Sequence, residues 1–276
     1  MADTLCTSTS TSSPERDGAL GRFAREYRTV RKAEGWGSAD GAYYRALPYH
    51  DLTHRFERIW RIRTRSFETF VDRILRPLED RFSRPLMILD LGGGNGWLSY
   101  RLAQRGHLVT AIDLTLDPLD GLGAIRHYDA RFLPVQAEFD HLPIRDSVAD
   151  LAIFNASLHY SPNYVDSIGE ALRATRPEAT LAVLDSPFYG QAASGQRMVR
   201  DRQHRFLAAY GFTSDSLQAE HFLTRTRLDE IAQAHGIHWR ILPPRTTLRG
   251  RIGRRVMNLR LRRETAEFPV IIGTRA

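Results

Sequence analysis

The residues best placed for chemistry sit in one short run, Asp90-Leu91-Gly92-Gly93-Gly94-Asn95-Gly96. An apolar stretch precedes it and a helical pattern follows. Glycines at 92, 94 and 96 let the backbone turn tightly and approach a ligand with no Cβ in the way, and a helix start offers unpaired N–H groups. A second acid, Asp113, stands about 20 residues further on, where a strand-end carboxylate can accept both hydroxyls of a ribose. The dinucleotide fingerprint G-x-G-x-x-G, begun at Gly92, requires glycine at position 97, which is Trp97. That substitution argues against a nicotinamide-dependent oxidoreductase.

Elements that can position these residues follow from apolar periodicity. Short apolar runs at 86–91, 108–112, 133–137, 151–154, 180–184, 237–242 and 270–273 read as strands. Helical patterns fall between them: Asn95 to Arg105, a helix capped by Asn163 and ended by Pro177, and Leu228 to Ala234 started by Thr224 or Thr226. This alternation predicts a doubly wound, mostly parallel seven-stranded α/β sheet of the Rossmann-like kind, with ligands bound beyond the carboxyl ends of the strands. Upstream, Leu52 to Arg76 reads as one long amphipathic helix begun by Asp51 and stopped by Pro77. The expected organisation is a disordered tail over 1–17, a helical cap over 18–84 and the sheet domain over 85–276, with a long insertion at about 186–223.

The pattern D-x-G-x-G-x-G at 90–96 resembles the first motif of class I S-adenosylmethionine-dependent methyltransferases. Two further segments carry the resemblance. Ala137-Glu138-Phe139-Asp140-His141-Leu142-Pro143 is similar to the segment after the third strand. Ile153 to Pro162, with Asn155, His159 and Tyr160, looks like the end of the fourth strand in the type 11 group. The resemblance covers roughly residues 84–190. It implies S-adenosylmethionine as cofactor and S-adenosylhomocysteine as product. By the same resemblance Asp90 and Asn155 lie near the cofactor, Asp113 holds its ribose, and Glu138 and the Phe139 backbone meet its adenine. Tyr44 and Tyr43 belong to a cap that folds over the cofactor. Tyr43, Tyr160 and Tyr189 become candidates for the substrate pocket.

Methyl transfer is an in-line displacement in which the protein mainly aligns reactants and excludes water, so a base is optional. His159, at the fourth strand's end, is the candidate base or substrate contact. Chemistries that need a functional cysteine are poorly served by Cys6, in the Ser/Thr-rich tail, and a two-lysine tetrad is impossible because Lys32 is the only lysine. Asn155 is followed by Ala156-Ser157-Leu158, so the aromatic clamp of exocyclic-amine enzymes is missing. No His/Cys/Asp/Glu cluster has metal-site spacing, and no metal is expected. The expected partner is a small-molecule acceptor. Nucleic acid is the alternative, suggested by a net charge of +7 and by the arginine-rich stretch Arg245–Arg263, which reads first as a solvated hairpin. No apolar run approaches the roughly 18 residues of a membrane span, and a cytoplasmic location is expected.

Overall fold

The computed structural model describes residues 18–244 and 248–276, and the side chains of 248–252, 254 and 255 fall outside that description. The tail predicted over 1–17, with Cys6, therefore lies outside the described residues.

Seven strands form one sheet: β1 (Met87–Leu91), β2 (Leu108–Asp113), β3 (Leu133–Gln136), β4 (Ala149–Asn155), β5 (Thr175–Leu184), β6 (Ile237–Leu242) and β7 (Val270–Arg275). Their order is β3-β2-β1-β4-β5-β7-β6. Strands β1 to β5 pair in parallel, and β7 is inserted antiparallel between β5 and β6. Strand order reverses between β1 and β4, which opens a crevice at their carboxyl ends. Successive side chains of a strand face opposite ways, so β1 feeds two cores. Ile88 packs with Trp60, Phe67, Phe70 and Trp97 on one face. Leu89 and Leu91 pack with Phe154, Ile168, Leu172 and Ile231 on the other.

The helices preceding the sheet are α1 (Ala19–Glu34), α2 (Gly41–Ala46), α3 (Glu57–Phe70) and α4 (Arg76–Phe82). The single helix predicted from Leu52 to Arg76 is revised at both ends. Asp51 does not cap a helix at 52; its carboxylate accepts from Thr53 N–H at 3.0 Å and from Phe56 N–H at 2.6 Å, holding a turn before α3. Pro77 does not stop the helix. A wide π turn over Val71–Leu75 joins α3 to α4 and leaves the proline in the first turn of α4, where a missing N–H costs least.

Between the strands lie α5 (Trp97–Gln104), α6 (Tyr164–Ala174), α7 (Ala192–Tyr210), α8 (Arg225–His235) and α9 (Leu248–Leu261). Asn163 caps α6 through Val165 N–H at 3.0 Å, and Thr224, not Thr226, caps α8 through Arg227 N–H at 3.2 Å. Pro177 does not end α6, which closes at Ala174; it lies inside β5, within a register shift against β4, where its missing N–H breaks no ladder bond. Over the described part of Arg245–Arg263 the expected hairpin is replaced by α9: arginine, leucine and methionine favour helix strongly enough to carry it through Gly250 and Gly253, and Arg262, with a φ of 50°, ends it. The end of α9 docks on α7: Arg197 donates to the Arg262 carbonyl at 2.8 Å, and Arg263 pairs with Asp201 at 3.3 Å.

At the amino-terminal edge of the sheet, Asp150 begins β4 with a fully buried carboxylate. Arg84 clasps it at 2.8 and 2.9 Å, Met87 N–H donates at 2.9 Å, and Arg176 pairs with it from β5. This network ties the starts of β1, β4 and β5 together, at the end opposite the crevice.

Candidate functional site

The crevice holds about 830 Å³ of empty space, part of it open to solvent. The turn after β1, the end of β2, the Phe139 loop and the turn after β4 form its floor. The roof comes from Phe23, Tyr27 and Arg31 of α1, from Arg63 of α3 and from Leu217.

The glycines of the turn have separate tasks. A Cβ on Gly92 would lie 2.3 Å from Ser157 Cβ, so this glycine lets the β1 and β4 turns touch. Ser157 completes the contact by donating to the Leu91 carbonyl. Gly94, at φ 54°, has no atom within 4 Å of where a Cβ would stand and faces the open space. Gly96 packs against Phe132 and is not part of the wall. Of the three glycines, Gly94 keeps open space where a Cβ would stand, while Gly92 and Gly96 make room for protein.

Asp113 lies in the wall at the end of β2. It accepts from Gly94 N–H at 2.8 Å and from Thr115 N–H at 2.8 Å and Oγ at 3.1 Å. Burial raises its pKa, opposed by those hydrogen bonds. Both Thr115 donors occupy Oδ1, while Oδ2 accepts from Gly94 alone and keeps a lone pair, so the group can take a ribose hydroxyl there without releasing the turn. Asn155 also lines the space, and its buried Oδ1 has no partner among the described residues, as suits an incoming ammonium. Arg63 lines the same space with no ion-pair contact to a carboxylate among the described residues, although Asp185 feels its charge, and its guanidinium stands 4.8 Å from the centre of the Trp60 ring. Arg31 is committed to Asp120, with one contact at 3.1 Å, and lies over Trp36 at 3.6 Å. An unpaired amide oxygen beside an unpaired guanidinium suits a zwitterionic amino-acid end. Asp113 suits a ribose, and Phe139, in the wall, offers an aromatic face. These residues fit S-adenosylmethionine. Asp113→Ala is expected to weaken S-adenosylhomocysteine binding by about 1–3 kcal/mol, measured by calorimetry, with the fold retained. Unchanged binding would make Asp113 a turn cap only.

Several sequence-predicted residues are placed elsewhere. Asp90 is fully buried beneath the turn, where its Oδ2 accepts from Ser99 Oγ at 2.7 Å; burial pushes its pKa up to about 7. It supports the turn and does not line the space. Tyr44 is buried with its hydroxyl within hydrogen-bond distance of the carbonyls of Ser38 at 2.8 Å and Leu119 at 2.7 Å, which share its one proton, and its ring stacks on His127. Tyr43 is buried against Tyr44, and Tyr189 is buried with its ring edge on Phe222. Glu138 is partly exposed, 3.9 Å from His141, outside the wall. With Asp140 these two side chains bring ligand-type atoms within 4.8 Å of one another at the surface, a grouping the spacing did not predict. Tyr160 does line the space. His159 behind it does not; its Nδ1 lies 3.3 Å from Ser186 Oγ, its ring packs on Tyr160, and burial, then the nearby His221, Arg202 and Arg63, hold its pKa well below the ordinary value. The structure thus brings together Gly92, Gly94, Asp113, Phe139, Asn155 and Tyr160, and leaves His159, Asp90, Gly96, Glu138, Tyr43, Tyr44 and Tyr189 outside the wall.

Residues 89–183 match the family model described as a methyltransferase domain. Among curated proteins, a malonyl-[acyl-carrier protein] O-methyltransferase of Buchnera aphidicola subsp. Baizongia pistaciae is 35% identical over 104 residues, 38% of this chain and 40% of that protein. The enzyme of the same name from Geobacter sulfurreducens is 31% identical over 165 residues, 54% of this chain and 58% of that protein. The chain thus spans about half the length of the curated relatives it matches. Among solved structures, magnesium protoporphyrin IX methyltransferase from Synechocystis PCC 6803, with bound S-adenosylhomocysteine, superposes with a TM-score of 0.52 at 17% identity, covering 91% of this chain and 100% of that one, a likeness of fold. Residues 89–183, which carry the glycine turn at 90–96 and strands β2 to β4, are thus similar to a methyltransferase domain, and the sheet order is that of the methyltransferase fold.

Proposed function

We propose that the chain transfers a methyl group from S-adenosylmethionine to a carboxylate oxygen of a small acceptor. The observation that carries this reading is the absence of a free base among the described residues lining the crevice. Asp113 is engaged by Gly94 and Thr115, Asp120 by Arg31, and His159 stands behind Tyr160. Phe23, Tyr27, Tyr160 and Leu217 make the remaining wall aromatic and apolar. A site without a base suits an acceptor that arrives already ionised. The cofactor supplies an electrophilic methyl on a sulfonium; the carboxylate takes it with no proton to remove, and the electron pair of the broken bond stays on sulfur. Arg63 and Asn155 hold the cofactor's amino-acid end, Asp113 fixes its ribose, and the aromatic roof excludes water, so the chain's work is alignment.

The names of the curated relatives, which specify O-methylation of a malonyl group on acyl-carrier protein, support the same acceptor chemistry. None of the described side chains of the arginine-rich α9 lines the crevice, and nucleic acid is not adopted as the acceptor. The test offers malonyl-pantetheine, a primary amine and an RNA oligonucleotide with S-adenosylmethionine, and reads products by mass spectrometry. A methyl ester on the malonyl carboxylate alone is expected. Methylation of the amine or the RNA, with none of the carboxylate, overturns the reading.

A further inference from the structure

Beside the crevice the fold holds an acid that the cofactor contacts described above do not use. Asp185 follows the last residue of β5 and is buried, yet its Oδ2 has no hydrogen-bond partner among the described residues. Its backbone stands at φ 52°, in the left-handed region, where residues other than glycine are strained. A buried carboxylate oxygen without a donor is unfavourable as well. Strain and an unanswered charge at one residue, next to a binding site, point to a functional constraint.

Two contacts tie Asp185 to the crevice. Leu184, the residue before it, pairs with Asn155, and the Leu184 carbonyl accepts from Ala156 N–H at 2.8 Å; Asn155 and Ala156 both line the crevice. On the other side, Asp185 Oδ1 accepts from Ser66 Oγ of α3 at 2.7 Å, a buried bond between residues 119 positions apart. Ser66 stands three positions after Arg63, so the two share a side of α3, and Arg63 lines the crevice. The Arg63 guanidinium lies over the Trp60 ring at 4.8 Å and the Trp36 ring at 5.8 Å, contacts that use its face and leave its N–H edges open. The charges agree with this placement: burial pushes the Asp185 pKa up, and first Arg63, then the Ser66 hydrogen bond, oppose it.

We propose that Asp185 is the positioning residue of Arg63: its Oδ2 takes one edge of the guanidinium fork and leaves the other edge for the carboxylate of the cofactor's amino-acid end. This rests on the reading, given above, that Arg63 holds that end. Ser66 fixes the acid through Oδ1, and the pairing requires a side-chain rotation of Arg63 from the tryptophan stack, with α3 held still. The charges then balance. The cofactor's carboxylate and ammonium, Arg63 and Asp185 sum to zero, which suits groups taken out of water together. Without the acid, the long arginine side chain has no fixed orientation, and each cofactor that binds must order it.

The test measures binding by calorimetry on the full chain and on its Asp185→Asn, Arg63→Met and double variants. Two ligands are compared: S-adenosylhomocysteine, and 5′-methylthioadenosine, which keeps the adenosine and the sulfur but lacks the amino-acid end. Asparagine keeps an acceptor for Ser66 and tolerates the left-handed backbone, so Asp185→Asn removes the counter-charge alone. It is expected to weaken S-adenosylhomocysteine binding about 10-fold and to leave 5′-methylthioadenosine within about twofold of the parent. Arg63→Met is expected to weaken S-adenosylhomocysteine by about 10- to 100-fold, and the double variant no further, since the acid acts through the arginine. Unchanged S-adenosylhomocysteine binding in Asp185→Asn overturns the proposal. So does an equal loss for both ligands, which marks a structural role, and so do losses that add in the double variant, which mark a direct contact of Asp185 with the ligand. Should Asp185→Asn fail to fold, Ser66→Ala decides: it is expected to weaken S-adenosylhomocysteine about threefold and 5′-methylthioadenosine not at all, and equal changes for the two ligands, or none, overturn the proposal. Should Arg63→Met bind S-adenosylhomocysteine as the parent does, the reading of Arg63 falls and the proposal with it; a loss in Arg63→Met with none in Asp185→Asn removes the proposal alone.

Discussion

Gly94→Ala is expected to leave the chain folded and to reduce S-adenosylhomocysteine affinity on the order of 100-fold. The added methyl meets no protein atom within 4 Å, so packing is untouched. The φ of 54° costs an alanine about 1 kcal/mol, a shift of a few degrees in melting temperature for a chain of this size. What the methyl does fill is open space of the crevice, beside the Asp113–Gly94 hydrogen bond, where the proposed cofactor would back onto the turn. Gly92→Ala supplies the contrast: its Cβ collides with Ser157 at 2.3 Å, and stability and affinity are expected to fall together. Melting curves and calorimetry on both variants check this. Normal affinity in Gly94→Ala would remove the ligand from this turn.

Asp150→Ala is expected to act at the other end of the sheet, on stability alone. Removing the buried carboxylate leaves Arg84, Arg176 and the Met87 N–H without their acceptor. Breaking such a pair costs about 3 kcal/mol, and melting is expected to drop by roughly 6–12 °C. Cofactor affinity is expected to persist, since Asn155 lies five positions along β4 from Asp150, roughly 16 Å. The pH dependence has a definite sign. Burial raises the Asp150 pKa, but the hydrogen bonds from Arg84, Met87 and Arg176 outweigh it and hold the carboxyl below its ordinary value. Its contribution is therefore complete above the unfolded-state pKa of about 4 and drains as pH falls through the lower folded value. Melts across that range should show the parent losing part of its advantage over Asp150→Ala on acidification. A constant difference would mean that the carboxylate is unpaired in solution.

The parts of the site that were legible are those fixed by neighbours in the chain. The glycine turn, the aspartate ending β2 and the alternation of strands and helices each depend on short-range rules, and the strands lie within a few residues of the predicted runs. The roof was not legible, because it depends on pairings across long separations: Arg31 meets Asp120 at a sequence distance of 89 residues, and Ser216 of the loop after α7 donates to Glu26 of α1 at 190. One local signal for it existed. Phe23, Tyr27 and Arg31 recur every four residues and so share a face of α1. The tyrosines at 43, 44 and 189 illustrate the opposite error. An aromatic near a cap suggests a pocket wall, yet Tyr44 uses its hydroxyl to tie α2 to the loop after β2 through the Leu119 carbonyl, and all three rings fill core. His159 followed the motif to the correct strand end, but local pattern does not say which side of Tyr160 the ring takes.

A calorimetric titration of the full chain tests the ligand of the crevice most directly. S-adenosylhomocysteine is expected to bind at a single site with micromolar affinity, to lose that affinity in Gly94→Ala and to keep it in Asp150→Ala. Binding of NADH with no heat from S-adenosylhomocysteine or S-adenosylmethionine would contradict the assignment of the crevice.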